Sequence, residues 1–108
     1  MSVIERPVLF DRIFHTPKPL IGMIHLAPLP GSPRYDGNGI SGAVDAALRD
    51  AKVLQKGGID GLLIENYGDL PFKPTPTDPV TVASMTAIGQ EVSKQVDLPI
   101  GVNVLRNG

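Results

Sequence analysis

The sequence predicts an α/β fold built as β-α-β-α-β, and three features carry that reading. Three short apolar runs each end in a polar side chain: Leu20 to Ile24 meets His25, Gly61 to Ile64 meets Glu65 and Asn66, and Ile100 to Val102 meets Asn103. Helix-like stretches separate the runs, which makes them successive parallel strands joined by right-handed crossovers. The loops after the strands are long and those before them short, as in a (β/α)8, TIM-type barrel, where loops beyond the strand C-termini carry function. Such a barrel usually takes ~250 residues. The 108 residues are therefore expected to form its truncated N-terminal part, a single partial domain over residues 1–108.

Val8 to Phe14 places Phe10, Ile13 and Phe14 at near-helical spacing, with Asp11 and Arg12 facing away, before Pro17 and Pro19 stop the pattern. This predicts a short helix packed under the first strand. Leu20 to Leu26 is almost uninterrupted apolar sequence, the pattern of a strand buried on both faces. Ala27 to Ile40 holds Pro28, Pro30, Gly31, Pro33, Gly37 and Gly39. Proline removes backbone donors and glycine permits positive φ, so this is a shaped loop.

Ser41 is placed to cap a helix with Val44, Ala47, Leu48, Ala51 and Leu54 on one face, ended by Gly57-Gly58. Asp60 to Ile64 follows as a strand, then a loop from Asn66 to Thr77 with Pro71, Pro74 and Pro76. Asp78-Pro79 starts a helix, an N-cap acceptor followed by proline at the first helical position. Its expected inward stripe is Val82, Met85, Ile88, Val92 and Val96, and Leu98-Pro99 leads into the last strand, Ile100 to Val104.

Composition narrows the function classes. With 42% hydrophobic and 19% charged residues and a net charge of -1, the chain has no basic cluster to neutralise phosphates, so no nucleic acid is expected as partner. No apolar stretch approaches the ~20 residues of a spanning helix, and no signal or transit pattern opens the chain, so a cytoplasmic protein without a membrane span is expected. The absence of cysteine excludes disulfides and thiolate metal sites. Three parallel strands would leave two open edges and an uncovered face, which favours self-association or association with the rest of a barrel.

The chemistry is expected at the strand tips. His25 is the first candidate, because imidazole exchanges protons near neutrality. Glu65 is the second. Adjacent strand residues point to opposite faces, so only one of Glu65 and Asn66 can face the mouth, and Glu65 is favoured. Asn66 would hold a substrate oxygen or satisfy the backbone of the following turn. Asp69 is a further ligand candidate, although one imidazole and two carboxylates spread over loops is a weak metal signature. No metal and no cofactor is expected. Asn103 and Arg106 mark the third tip, where a guanidinium offers a donor fork to a carboxylate or phosphate. Gly31-Ser32 and Arg34 fit no phosphate-loop pattern and read as a lid or structural loop. Tyr35, Tyr67 and Phe72 read as loop anchors.

Ile21-Gly-Met-Ile-His-Leu-Ala-Pro-Leu-Pro-Gly-Ser-Pro-Arg-Tyr35, Gly57-Gly-Ile-Asp-Gly-Leu-Leu-Ile-Glu-Asn-Tyr-Gly-Asp69 with Pro71-Phe72, and Pro99-Ile-Gly-Val-Asn-Val-Leu-Arg-Asn107 closely resemble motifs of the BtpA family, in the same order. The resemblance runs from about Phe10 to Asn107. It implies a relative of the phosphate-binding (β/α)8 barrels, in a family named for a cyanobacterial protein needed for photosystem I accumulation. Family members continue through the remaining strands and helices and usually place an acidic residue where Gly108 stands. In such barrels the phosphate site usually lies after strands seven and eight, beyond this sequence.

The resemblance and the tip residues together lead to one expectation. The complete barrel would bind a small phosphorylated metabolite, with His25 and Glu65 catalytic and Asn66, Asp69, Asn103 and Arg106 binding substrate. Isomerase- or lyase-like proton transfer suits those groups. The alternatives are a non-enzymatic assembly factor and a truncated chain without activity of its own.

Overall fold

Each apolar run forms a strand whose last residue is polar. In the computed structural model, which describes residues 8–69 and 78–105, strands β1 (Ile21–His25), β2 (Gly61–Glu65) and β3 (Ile100–Asn103) form one parallel sheet in the order β1-β2-β3. Helix α1 (Val8–Ile13) precedes the sheet, and α2 (Ser41–Lys56) and α3 (Pro79–Gln95) make the two crossovers. This is an α/β architecture with a small parallel sheet. None of the described helices is long and apolar enough to cross a membrane.

Sequential strand order with both crossovers of one hand puts α2 and α3 on the same face of the sheet. Ile24, Leu62 and Ile64 point into that layer and are buried with Ala47, Ala51, Met85, Ile88 and Val92. Alanines 43, 47 and 51 are the buried residues of α2, and their small side chains let the helix lie close to its neighbours. The larger Val44, Leu48 and Leu54 pack at the margin of this core. Full burial of side chains such as Ile88 and Ile64 contributes about 1.5–3 kcal/mol each.

The opposite face corrects the expectation of strands buried on both sides. Along β1 burial alternates, and Ile21 and Met23 on the far face are exposed. The residues are apolar on both faces, but both long helices cover only one. At the N-terminal ends of the strands, α1 approaches the other face. Phe10 and Phe14 of this region, with rings 5.2 Å apart, face Ile21, Leu63, Pro99 and Gly101 across an apolar cavity of about 460 Å³.

Two local details also differ from the sequence reading. Ile40 is the N-cap residue of α2, so Ser41 is its first helical residue, and no side chain caps the end. In α3 the buried face runs through Thr81, Ser84, Met85, Ile88 and Val92, while Val82 is exposed. Thr81 lies one turn before Met85 and shares its face, whereas Val82 is rotated off it. Pro79 does open α3 behind an extended Asp78, which holds the N-cap position without a side-chain capping bond. Gly57 and Gly58 close α2, and Gly58 takes φ +92°, a conformation that L side chains rarely adopt.

Short connections tie down the N-terminal ends of the strands. Asp60 accepts a hydrogen bond from Leu20 N–H through its carboxylate and donates its own N–H to Leu20 O, both at 2.9 Å. Gln55 Oε1 accepts from Asp97 N–H at 2.7 Å, joining the end of α2 to the entry of β3. With these ends held in register, the position of every residue at the opposite tips is set.

Candidate functional site

The register brings His25, Glu65 and Asn103 into one row across the C-terminal tips, His25 opposite Glu65 and Glu65 opposite Asn103. All three point to the face away from α2 and α3, because they alternate with the buried Ile24, Ile64 and the helix-side Val102. His25 turns Nε2 toward Glu65 Oε1 at 3.3 Å. Asn103 Nδ2 donates to Glu65 Oε2 at 2.7 Å. Glu65 therefore has one oxygen toward an imidazole and the other toward an amide. Its side chain is 13% exposed and that of His25 47%, so the carboxylate lies low in the row and the imidazole reaches solvent.

Asn66 lies on the other side of the strand end and is 3% exposed. Its Nδ2 donates to Asp69 Oδ2 at 3.1 Å and to Leu105 O at 3.2 Å, and its Oδ1 accepts from Leu105 N–H at 2.6 Å. Asp69, 7% exposed, also accepts from Leu29 N–H at 2.7 Å. Both side chains are thus committed to holding segments that follow β1, β2 and β3. The backbone that the Asn66 side chain satisfies is that of Leu105, after β3, rather than that of the turn that follows Asn66 itself. Asp69 is not brought beside His25 and Glu65, and among the described residues no three His, Cys, Asp or Glu side chains are grouped to hold a metal.

The turn between Asn66 and Asp69 is tight. Tyr67–Asp69 forms a single 3₁₀ turn, with Gly68 N–H donating to Leu26 O at 3.0 Å. A Cβ on Gly68 would lie 2.5 Å from Leu26 O and 2.7 Å from Pro28 N, both backbone atoms. Glycine is required here because the two loop backbones touch. Tyr67 departs from the anchoring role expected of it: its ring is exposed and stacks on His25, with centroids 4.6 Å apart and planes 16° from parallel.

The loop after β1 folds largely on itself. Ser32 N–H donates to Leu29 O and Tyr35 N–H to Ser32 O, while Tyr35 Oη accepts from Gly39 N–H at 2.6 Å. The N–H groups of Ser32, Arg34 and Tyr35 are therefore engaged within the loop, as suits a lid or structural segment. Arg106 and Phe72 lie outside the described residues. Sequence reasoning missed the pairing of Tyr67 with His25 and the close approach at Gly68. The only signal for either was their place in the run that follows Glu65.

Comparison with known proteins agrees with the motifs. The BtpA family profile matches residues 16–108. The chain is 50% identical over 90 residues to an uncharacterized protein of Methanocaldococcus jannaschii, covering 83% of this chain and 34% of that protein. It is 43% identical over 94 residues to the photosystem I biogenesis protein BtpA of Synechocystis, covering 87% and 32%. Against the putative sgc region protein SgcQ of Escherichia coli, identity is 37% over 94 residues, covering 86% and 35%. The chain thus spans about a third of the length of the curated relatives it matches. No solved structure matches it.

Proposed function

The chain belongs to the BtpA family, and on that premise we propose that it supplies the first strands of a (β/α)8-type barrel whose strand tips bind a small phosphorylated metabolite. The protein is read as cytoplasmic, with isomerase- or lyase-like proton transfer as its chemistry. One observation carries the reading: the in-register row of His25, Glu65 and Asn103 at the tips. A carboxylate beside an imidazole orients it and stabilises the charged form that appears when it takes a proton. His25 is then the group that exchanges protons with substrate, Glu65 its partner and Asn103 the side chain that holds Glu65. Arg106, by its chemistry, would meet an anionic group. Asn66 and Asp69 act as positioning residues that hold the loops around the row.

The barrel reading is supported by the bare apolar face of the sheet, since parallel sheets are normally covered on both faces. Further strands that curve round would cover it, and so would a second copy. The test of the chemistry is deuterium exchange from heavy water into a panel of sugar phosphates, measured on the full gene product by NMR. Exchange is expected at carbon next to a carbonyl, with His25→Ala abolishing it and Glu65→Gln slowing it. Equal exchange in both variants and the wild type would remove the assignment.

The name of the Synechocystis relative favours a second reading, a non-enzymatic assembly factor acting through protein contacts. Binding of a protein partner that is indifferent to His25→Ala and Glu65→Gln would support it over the first.

A further inference from the structure

An aromatic side chain at a strand tip usually anchors its loop by burial, and Tyr67 does not fit that use. It is 50% exposed. The turn that carries it is held by other groups: Gly68 N–H on Leu26 O, Asp69 N–H on Asn66 O at 3.0 Å, and the Asp69 carboxylate on Leu29 N–H. Gly68 is wedged against the backbone of Leu26 to Pro28 with no room for a side chain. The turn holds the ring, and the ring is laid flat on His25.

We infer that Tyr67 is a positioning residue for His25, fixing the imidazole plane so that Nε2 faces Glu65 and Nδ1 is the atom offered to a ligand. The inference rests on the reading of His25 as the proton-transfer group. Rotation of a histidine ring about its last torsion is broad and roughly two-fold. Glu65, 3.3 Å from Nε2, favours the orientation with Nε2 toward it; the overturned ring would put a C–H there and another at the rim in place of Nδ1. Turning over must carry the imidazole edge-on to the tyrosine ring, so a parallel ring in contact holds the plane and hinders the turn. The carboxylate then selects the tautomer with its proton on Nε2 and its lone pair on Nδ1. Among the described residues Nδ1 has no hydrogen-bond partner, so it is left for the ligand. The proton carried by Nδ1 after transfer leaves a charge that Glu65 faces from the other side of the ring.

The test is made on the full gene product with 15N-labelled histidine. His15 serves as internal reference, and His15→Asn and His25→Asn assign the two signals. Long-range proton–nitrogen spectra, taken where imidazole is neutral, report the tautomer, and the ring-proton shifts report the stacked tyrosine through its ring current. The wild type is expected to hold His25 as the Nε2–H tautomer with its ring protons displaced upfield of those of His15. Tyr67→Phe should keep both properties, and Tyr67→Leu should lose the displacement and move the nitrogens toward the mixture that His15 shows. A folded Tyr67→Leu variant with unchanged tautomer and shifts overturns the inference. If its backbone amide spectrum shows that it has not folded, the wild type and Tyr67→Phe decide, since His25 without an upfield displacement in either overturns it equally. None of these readouts needs a substrate. Loss of the proton-exchange reading in the sugar phosphate assay would leave the positioning result standing.

Discussion

Asn66→Ala removes one buried side chain that bridges two strand-tip segments, and its cost can be worked from its partners. Two of its hydrogen bonds go to the backbone of Leu105 and one to the carboxylate of Asp69. Bonds between neutral groups contribute about 1 kcal/mol each and a bond to a charged group about 2 kcal/mol. Leu105 is partly exposed, so water recovers some of its loss, whereas Asp69 is buried and its Oδ2 loses the amide, leaving the carboxylate with Leu29 N–H on Oδ1. A net destabilisation of about 3 kcal/mol is expected. Urea unfolding followed by circular dichroism measures it, as a lower midpoint at an unchanged slope. Amide exchange should accelerate at Leu105, whose N–H loses its acceptor, and at Leu29 through the loosened carboxylate. Asn66→Asp keeps an acceptor for Leu105 but sets a second carboxylate against Asp69, so it should cost at least as much. If Asn66→Ala stays within about 0.5 kcal/mol of wild type, the level expected of a surface change, the network does not hold the tips together and the positioning role is wrong.

Two further stability predictions follow from packing. Gly68→Ala drives a methyl into backbone atoms that cannot move aside, and should cost about 1–3 kcal/mol, with loss of exchange protection at residue 68; a variant as stable as wild type would refute the close approach. Ile64→Ala, at a fully buried position between the strands and helices, should cost about 2–5 kcal/mol, while Val82→Ala on the exposed side of α3 should stay within about 0.5 kcal/mol. Equal losses in urea unfolding at these two sites would contradict the assigned helix face.

Much of the architecture was legible because it depends on short-range pattern. Apolar runs, glycine pairs and Asp78-Pro79 act locally, and each landed within a residue or two of the element it marks. Ser41 misled because its hydroxyl is a good cap in isolation, whereas the path of the chain placed Ile40 at that position. Val82 misled because a 3.6-residue period drawn through valines allows two neighbouring faces, and only contact with the sheet chooses between them.

At the site, the residue types and their places at the strand tips could be read from the chain itself, since a polar residue that ends an apolar run has nowhere to go but the rim. What each does there depended on the fold. Pairing register put His25 beside Glu65 and Glu65 beside Asn103, a relation among residues about forty positions apart that no local pattern encodes. Strand alternation sent Asn66 inward to the backbone of Leu105, and the close approach of two loops at Gly68 laid Tyr67 over the imidazole. The sequence by itself determined the elements, their order and the chemical character of the rim, because those follow from local propensity and burial. Tertiary structure alone decided which of those side chains meet and which are consumed in holding the loops, because that turns on contacts between distant segments.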